Sequence, residues 1–265
     1  LPSAAAETPH HKTFTSALRR LLHVDDDDRL GAYADLVGDA IPTDPSTRSA
    51  RHQRHMRMLL ASMYHQDAPS TAGEAMAELR RDREVCAELV ELIDVLRRNV
   101  THTTVALDSD GPVPLQVHAR YTRREIQAAF GDGNGLIPPR WDSGVKWLPD
   151  QRVDVFAFTL DKSSGDFSPT TRYRDYAISR DLIHWESQST TSLASPTGQR
   201  YLNHQALGSK VLLFARLRSD DRAFWCLGPA TYVSHESERP IAITWQLDHR
   251  LPVDLFTQFA AAAVA

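Results

Sequence analysis

Residues 241–247, Ile-Ala-Ile-Thr-Trp-Gln-Leu, set the period of the second half of the chain. Ile241, Ile243, Trp245 and Leu247 alternate strictly with Ala242, Thr244 and Gln246, the pattern of a half-buried β-strand with the first set turned inward. The runs 153–160, 173–179, 182–187, 210–217 and 224–227 carry the same signature and are separated by Ser, Thr, Pro, Gly and Asp. Six or more short strands with no βαβ-type crossover helix predict a mostly antiparallel β-barrel. Residues 253–264 close the chain as a helix, with Leu255, Phe256 and Phe259 for docking.

Upstream the period is 3.6. Phe14, Leu18, Leu21 and Leu22 share one helical face, as do Leu30, Tyr33, Ala34 and Val37, and then Met56, Leu59, Leu60 and Met63. Thr71 with Glu74 reads as a capping box opening a helix. The clearest helix spans 83–98, with Val85, Leu89, Leu92, Ile93 and Leu96 on its apolar stripe. The acidic run Asp25–Asp28 reads as a helix cap that also solubilises, and His52 and His55 as part of an exposed basic face. Turn residues at 108–114 place a boundary near 104, giving a helical domain (1–104) and a β-barrel nucleic-acid-binding domain (105–265). Within the second, Thr122 and Glu125 form another capping box, and Gly131 closes its short helix. The fold class is α+β.

Composition narrows the function. Forty-two per cent hydrophobic and 24% charged residues are those of an ordinary globular protein. No run of about eighteen apolar residues predicts a membrane span. The first residues, LPSAAAETPHH, read as a linker and not as a secretion signal. Cys86 and Cys226 make neither a disulfide framework nor a zinc set, so a reducing cytoplasmic setting is expected, with no metal and no cofactor. A net charge of −4 argues against bulk coating of nucleic acid. Between 172 and 216, however, Arg172, Arg174, Arg180, Arg200, Lys210 and Arg216 face only Asp175, Asp181 and Glu186. A nuclease of the phospholipase-D type is not encoded at the N-terminus: His10-His11-Lys12 carries His-x-Lys, but Ala17 stands where that motif needs an acid. No Walker loop is present.

That locally basic stretch, Thr159–His204, carries the candidate site. Tyr173, Tyr176, His184, Trp185 and Tyr201 fall among Arg172, Arg174 and Arg200, beside loops rich in Ser, Thr, Pro and Gly. Rings and guanidiniums next to polar loops suit bases and phosphates. Strand alternation sets Tyr173 and Tyr176 on opposite faces, so one is core; the expected pocket takes Tyr176, Trp185 and Tyr201, with Tyr173 in the core. Gln188, Ser189 and Thr190 are its polar readers. Arg172, Arg174 and Arg200 are phosphate ligands, with Arg174 also able to pair with Glu186. Gly198 lets its loop approach a ligand, and Asn203 contacts it or orders that loop. An enzymatic alternative uses Asp161, Lys162, Asp175 and His184.

The segments HARYTRREIQAAFG (118–131), TLDKSSGDFSPTTRYRDYAIS (159–179), HWESQSTTSLASPTGQRYLNH (184–204) and LGPATYVSHESERPIAITWQLDHRLP (227–252) closely resemble one family. It is the uncharacterised domain at the C-terminus of bacterial superfamily-2 (DEAD/DEAH-type) helicases, which often carry a phospholipase-D-type nuclease at their N-terminus. LLHVDDDDRL (21–30) resembles the segment preceding it. The resemblance implies a PUA-like barrel and a non-enzymatic reader of DNA, including modified DNA. Its implied partners are helicase and nuclease domains in defence or repair. A metal-dependent nuclease or nucleobase-processing domain is one alternative, and a protein-interaction module docking a helicase core another.

Overall fold

The computed structural model describes residues 10–38, 49–65, 67–133, 135–160 and 175–264. The chain divides into two compact units, Leu1–Arg140 and Trp141–Ala265. The division falls after Arg140, not near 104, because residues 115–130 have their ionic partners among the preceding helices.

The first unit contains α1 (His11–Leu18), α2 (Asp27–Gly38), α3 (Ala50–Met63), α4 (Ala72–Arg81), α5 (Arg83–Arg98) and α6 (Arg123–Phe130), with the short strands β1 (Val105–Ala106), β2 (Gln116–Val117) and β3 (Arg120–Thr122). Both capping boxes form: Thr71 and Thr122 accept from the N–H of Glu74 and Glu125, whose carboxylates return to the N-cap N–H groups. Gly131, at φ 71°, supplies the left-handed C-cap of α6. Phe14, Leu30, Tyr33, Met56, Leu59, Leu60 and Met63 are buried as their periodicity predicts; past the end of α1 at Leu18, Leu21 is buried and Leu22 exposed. His55 is also buried, 3.5 Å from Asp28, and not on an open basic face.

The acidic run does more than solubilise. Asp26 caps α2, accepting from the Arg29 N–H at 2.8 Å, but its carboxylate is fully buried. Arg29, also fully buried, donates to Asp26 (2.9 Å), to Glu125 (3.0 Å) and to the Arg120 carbonyl (2.8 Å). Asp25 accepts from both the backbone and the guanidinium of Arg120, and Asp28 takes Arg51 and Gln116. His23 lies 2.6 Å from Glu125. Charges buried this deeply are tolerated only when each has a partner.

The second unit is a sheet ordered β4 (Val145–Leu148), β5 (Val153–Thr159), β8 (Lys210–Arg216), β9 (Ala223–Glu236), β10 (Ala242–Leu247), β7 (Leu182–Glu186), β6 (Tyr176–Ala177), with helices α7 (Pro196–Leu202) and α8 (Val253–Val264). All these pairings are antiparallel except β5 with β8. The parallel pair requires a long connection, and the chain between β5 and β8, which includes β6, β7 and α7, provides it. Among the described residues the ladders of this unit run in one path from β4 to β6, a mostly antiparallel sheet. One core cluster lies on one face of this sheet, and β5 and β8 are buried on both faces. Ile241, Ile243, Trp245 and Leu247 point into that cluster as their alternation predicts, and Leu255 and Phe259 of α8 cover it.

Glu125 gives the first unit a defined acid sensitivity. Burial alone would raise its pKa, but His23 and Arg29 beside it hold it at about 2, below the ordinary 4.5. A depressed carboxylate contributes stability that is complete above the unfolded value and disappears as pH falls from 4.5 towards 2. Urea unfolding of Glu125→Gln at pH 7 should show a loss of roughly 3–5 kcal/mol, because Arg29 keeps its charge and loses a partner. The gap to wild type should narrow at pH 3. A gap independent of pH would refute this role.

Candidate nucleic-acid interface

The residues expected to form one surface are distributed among core, helix and turn. Arg172, Tyr173 and Arg174 lie outside the described residues, as do Asp161 and Lys162. Trp185 sits on the inward side of β7, registered against Ile243, and is 4% exposed. Its ring centroid is 4.3 Å from Phe156 and 5.7 Å from Tyr201, which is itself 4.9 Å from Phe156. Trp185 and Tyr201 are therefore core side chains, not pocket walls: their faces are occupied by other rings. Burial, then the nearby Asp154 carboxylate, pushes the Tyr201 hydroxyl pKa up.

Residues 196–202 were expected to be a ligand-approaching loop, but they form α7. Ser195 caps it, accepting from the Gly198 N–H at 3.0 Å, with Pro196 in the first turn. Gly198 is needed for packing: a Cβ there would run into the Ser192 carbonyl. Asn203 sits at the helix end and donates to the Gln199 carbonyl at 3.1 Å, so it orders the helix terminus.

Arg200 is correspondingly not free for phosphate. Its Nε and Nη2 donate to the two oxygens of Asp154 at 2.6 and 2.9 Å, and its guanidinium lies 4.3 Å from the Trp147 ring centroid. Asp154 is fully buried in β5; burial raises its pKa, and the Arg200 bonds oppose that rise. This fork ties α7 to β5. The signal was visible as a lone carboxylate inside the apolar run 153–158, since a buried acid requires a partner. Beside it, the His204 Nε2 accepts from the Tyr232 N–H at 3.2 Å, and burial lowers the His204 pKa. Arg180 and Arg216 are engaged as well. Arg180 donates to the Leu251 carbonyl at 2.7 Å and Arg216 to Thr159 Oγ1 at 2.9 Å.

Tyr176 keeps the expected surface character. On the face of the sheet opposite the core, its ring stacks on His184 with centroids 4.7 Å apart and planes 21° from parallel. Both are half-buried, and Tyr176 is registered against His184, which is registered against Thr244 of β10. Glu186 shares that face, its Oε1 3.8 Å from His184 Nε2. Asp175, named in the enzymatic alternative, is buried and accepts from the Glu186 N–H at 2.9 Å. Gln188, Ser189 and Thr190 are exposed just beyond β7, in a turn closed by the Thr191 N–H on the Gln188 carbonyl. The structure thus brings together Tyr176 and His184 and leaves the turn accessible. His184 was anticipated among the rings of the surface and in the catalytic alternative, but not as a member of the pocket.

Residues 115–259 match the family described as "Domain of unknown function (DUF3427)". The chain belongs to that family. The DUF3427 match begins within the first unit and continues through the second. No curated protein matches the chain. Among solved structures, the crystal structure of Arabidopsis thaliana SUVH6 in complex with SAM is similar at a TM-score of 0.34 and 13% identity, over 90% of this chain and 40% of that one. The chain therefore spans less than half the length of that structure. No helix of the described residues is long and apolar enough to cross a membrane.

Two substitutions separate these roles from ligand contact. Helix propensity alone favours Gly198→Ala by about 1 kcal/mol, but the Ser192 carbonyl blocks the new methyl, so the melting temperature should fall. A rise would mean that the helix and the turn before it are not packed as described. Arg200→Ala leaves Asp154 buried without its ion partner and should lower stability by roughly 3–5 kcal/mol in chemical denaturation. An unchanged stability would return Arg200 to the list of ligand-binding groups.

Proposed function

We propose that this DUF3427 chain is a DNA-binding reader module, with modified bases among its targets, that directs a helicase/nuclease to DNA in bacterial defence or repair. The observation that carries the reading is the stacked, half-buried Tyr176–His184 pair on a sheet face, followed by the exposed Gln188–Thr190 turn. Ring pairs on open sheet faces are surfaces on which unstacked bases settle, and adjacent amides and hydroxyls read base edges. The sheet is taken as PUA-like, with the register shifts in the β8–β9 and β9–β10 ladders supplying its curvature. The helicase and nuclease partners and the bacterial setting rest on the resemblance of the four segments quoted above, and the cytoplasmic setting rests on the two unpaired cysteines.

A second reading, a module that docks a helicase core, is favoured by the engagement of Arg180, Arg200 and Arg216 within the second unit. Guanidiniums held by carbonyls, hydroxyls and carboxylates are not available to clamp phosphates.

Titrating the full chain against matched duplexes with and without modified bases, in magnesium and in chelator, tests the proposal. Binding without cleavage in either condition is expected. Tyr176→Ala should weaken that binding about ten- to a hundredfold, the loss of one stacking contact, at an unchanged melting temperature. Affinity untouched by Tyr176→Ala would remove the stacking role. Binding to helicase domains but to no nucleic acid would leave the docking reading in its place.

A further inference from the structure

The two rings of the stack are held unequally. His184 stands within β7, which is paired on both sides: it registers against Tyr176 of β6 and against Thr244 of β10. Glu186, on the same face of β7, brings a carboxylate oxygen 3.8 Å from the imidazole Nε2. Tyr176 stands in a strand of two residues at the end of the sheet path, paired on one side only among the described residues. Among those residues its hydroxyl has no hydrogen-bond partner, and His184 is the one ring it meets, with centroids 4.7 Å apart and planes 21° from parallel. A tyrosine side chain turns about two torsions, and here the imidazole is what fixes the plane of the ring.

This arrangement leaves Tyr176 one ring face. The face towards β7 is filled by His184, and Glu186 lies on that side as well; the other face turns away from both, beyond the last strand of the path. Resting on the stacking reading above, we infer that His184 is a positioning residue: it backs the Tyr176 ring and holds it in the plane that receives a single base on the opposite face. The imidazole touches the tyrosine and not the base, so its contribution is a plane set before binding. A side chain ordered only when the ligand arrives costs affinity, and a ring already held avoids that cost. Any planar ring at position 184 serves this purpose, whereas an imidazole that bonded the base would need its nitrogens.

The test titrates the full chain by fluorescence anisotropy against DNA of one mixed sequence, single-stranded and duplex, comparing wild type with His184→Ala, His184→Phe, Tyr176→Ala and the double variant Tyr176→Ala/His184→Ala. His184→Ala should weaken binding about two- to tenfold, the cost of ordering one side chain, and His184→Phe should restore it. In the double variant the loss of His184 should add nothing to that of Tyr176→Ala, because no ring is left to position. In the free protein, the NMR signals of the Tyr176 ring, assigned by their disappearance in Tyr176→Ala, should keep their ring-current shift in His184→Phe and lose it in His184→Ala. An affinity unchanged in His184→Ala overturns the inference and leaves the reader proposal intact. So does a loss that His184→Phe fails to restore, or one that adds fully to that of Tyr176→Ala. A wild-type chain that binds neither DNA overturns both.

Discussion

A buried guanidinium needs acceptors around it, and this requirement ties distant elements of the first unit together, even though the Arg29 Nε itself stays unpartnered. Arg29 is the deepest instance, with Asp26, Glu125 and the Arg120 carbonyl around it and the Tyr121 ring 4.2 Å from its guanidinium carbon. Other arginines of the first unit solve the same problem at helix ends. Arg20 and Arg124 donate to the Ser62 and Tyr64 carbonyls at the end of α3, Arg80 to Leu36 in the last turns of α2, and Arg54 to Ala129 in α6. Carbonyls of a last helical turn lack intrahelical donors and sit at the negative end of the dipole, so a guanidinium there satisfies both demands.

The same economy governs the second unit and bears on function. Arg152 donates to the Leu207 and Gly208 carbonyls, Arg180 to Leu251 and Arg216 to Asp221. Between 172 and 216, Arg180, Arg200 and Arg216 are thus internal wiring. Whatever the module binds through the described residues meets rings, hydroxyls, amides and carboxylates more than free cations. Such a surface favours recognition of a base or a protein over a backbone grip, in keeping with the chain's net charge of −4.

Features that were legible depended on neighbours in sequence. Both capping boxes, the bounds of α5 and α8, and the inward set of β10 follow from spacings of two to four residues. Trp185 was ambiguous because alternation fixes which residues share a face but not which face is covered; the partners that bury it, Phe156 and Tyr201, are remote in sequence. The helix α7 was misread because Ser195-Pro196-Thr197-Gly198 has the composition of a loop. Ser195 and Pro196 are equally an N-cap and a first-turn proline, and Gly198 is set by the Ser192 carbonyl. Arg200 resembled a phosphate ligand until Asp154 took two of its donors in a fork.

The acidic run exposes the sharpest limit of local reading. Asp26 does cap α2, but it is also part of a cluster whose other members, Arg120 and Glu125, stand almost a hundred residues away. The DUF3427 match opens at residue 115, so it includes Arg120 and Glu125 and excludes Asp25, Arg29 and His23, which pair with them. A charge without its partner is too costly to bury. The stretch that defines the family by sequence is consequently not the unit that is stable by physics. Its first residues belong with the helices that precede them, and the sheet from Trp141 onward is the part that holds the rings.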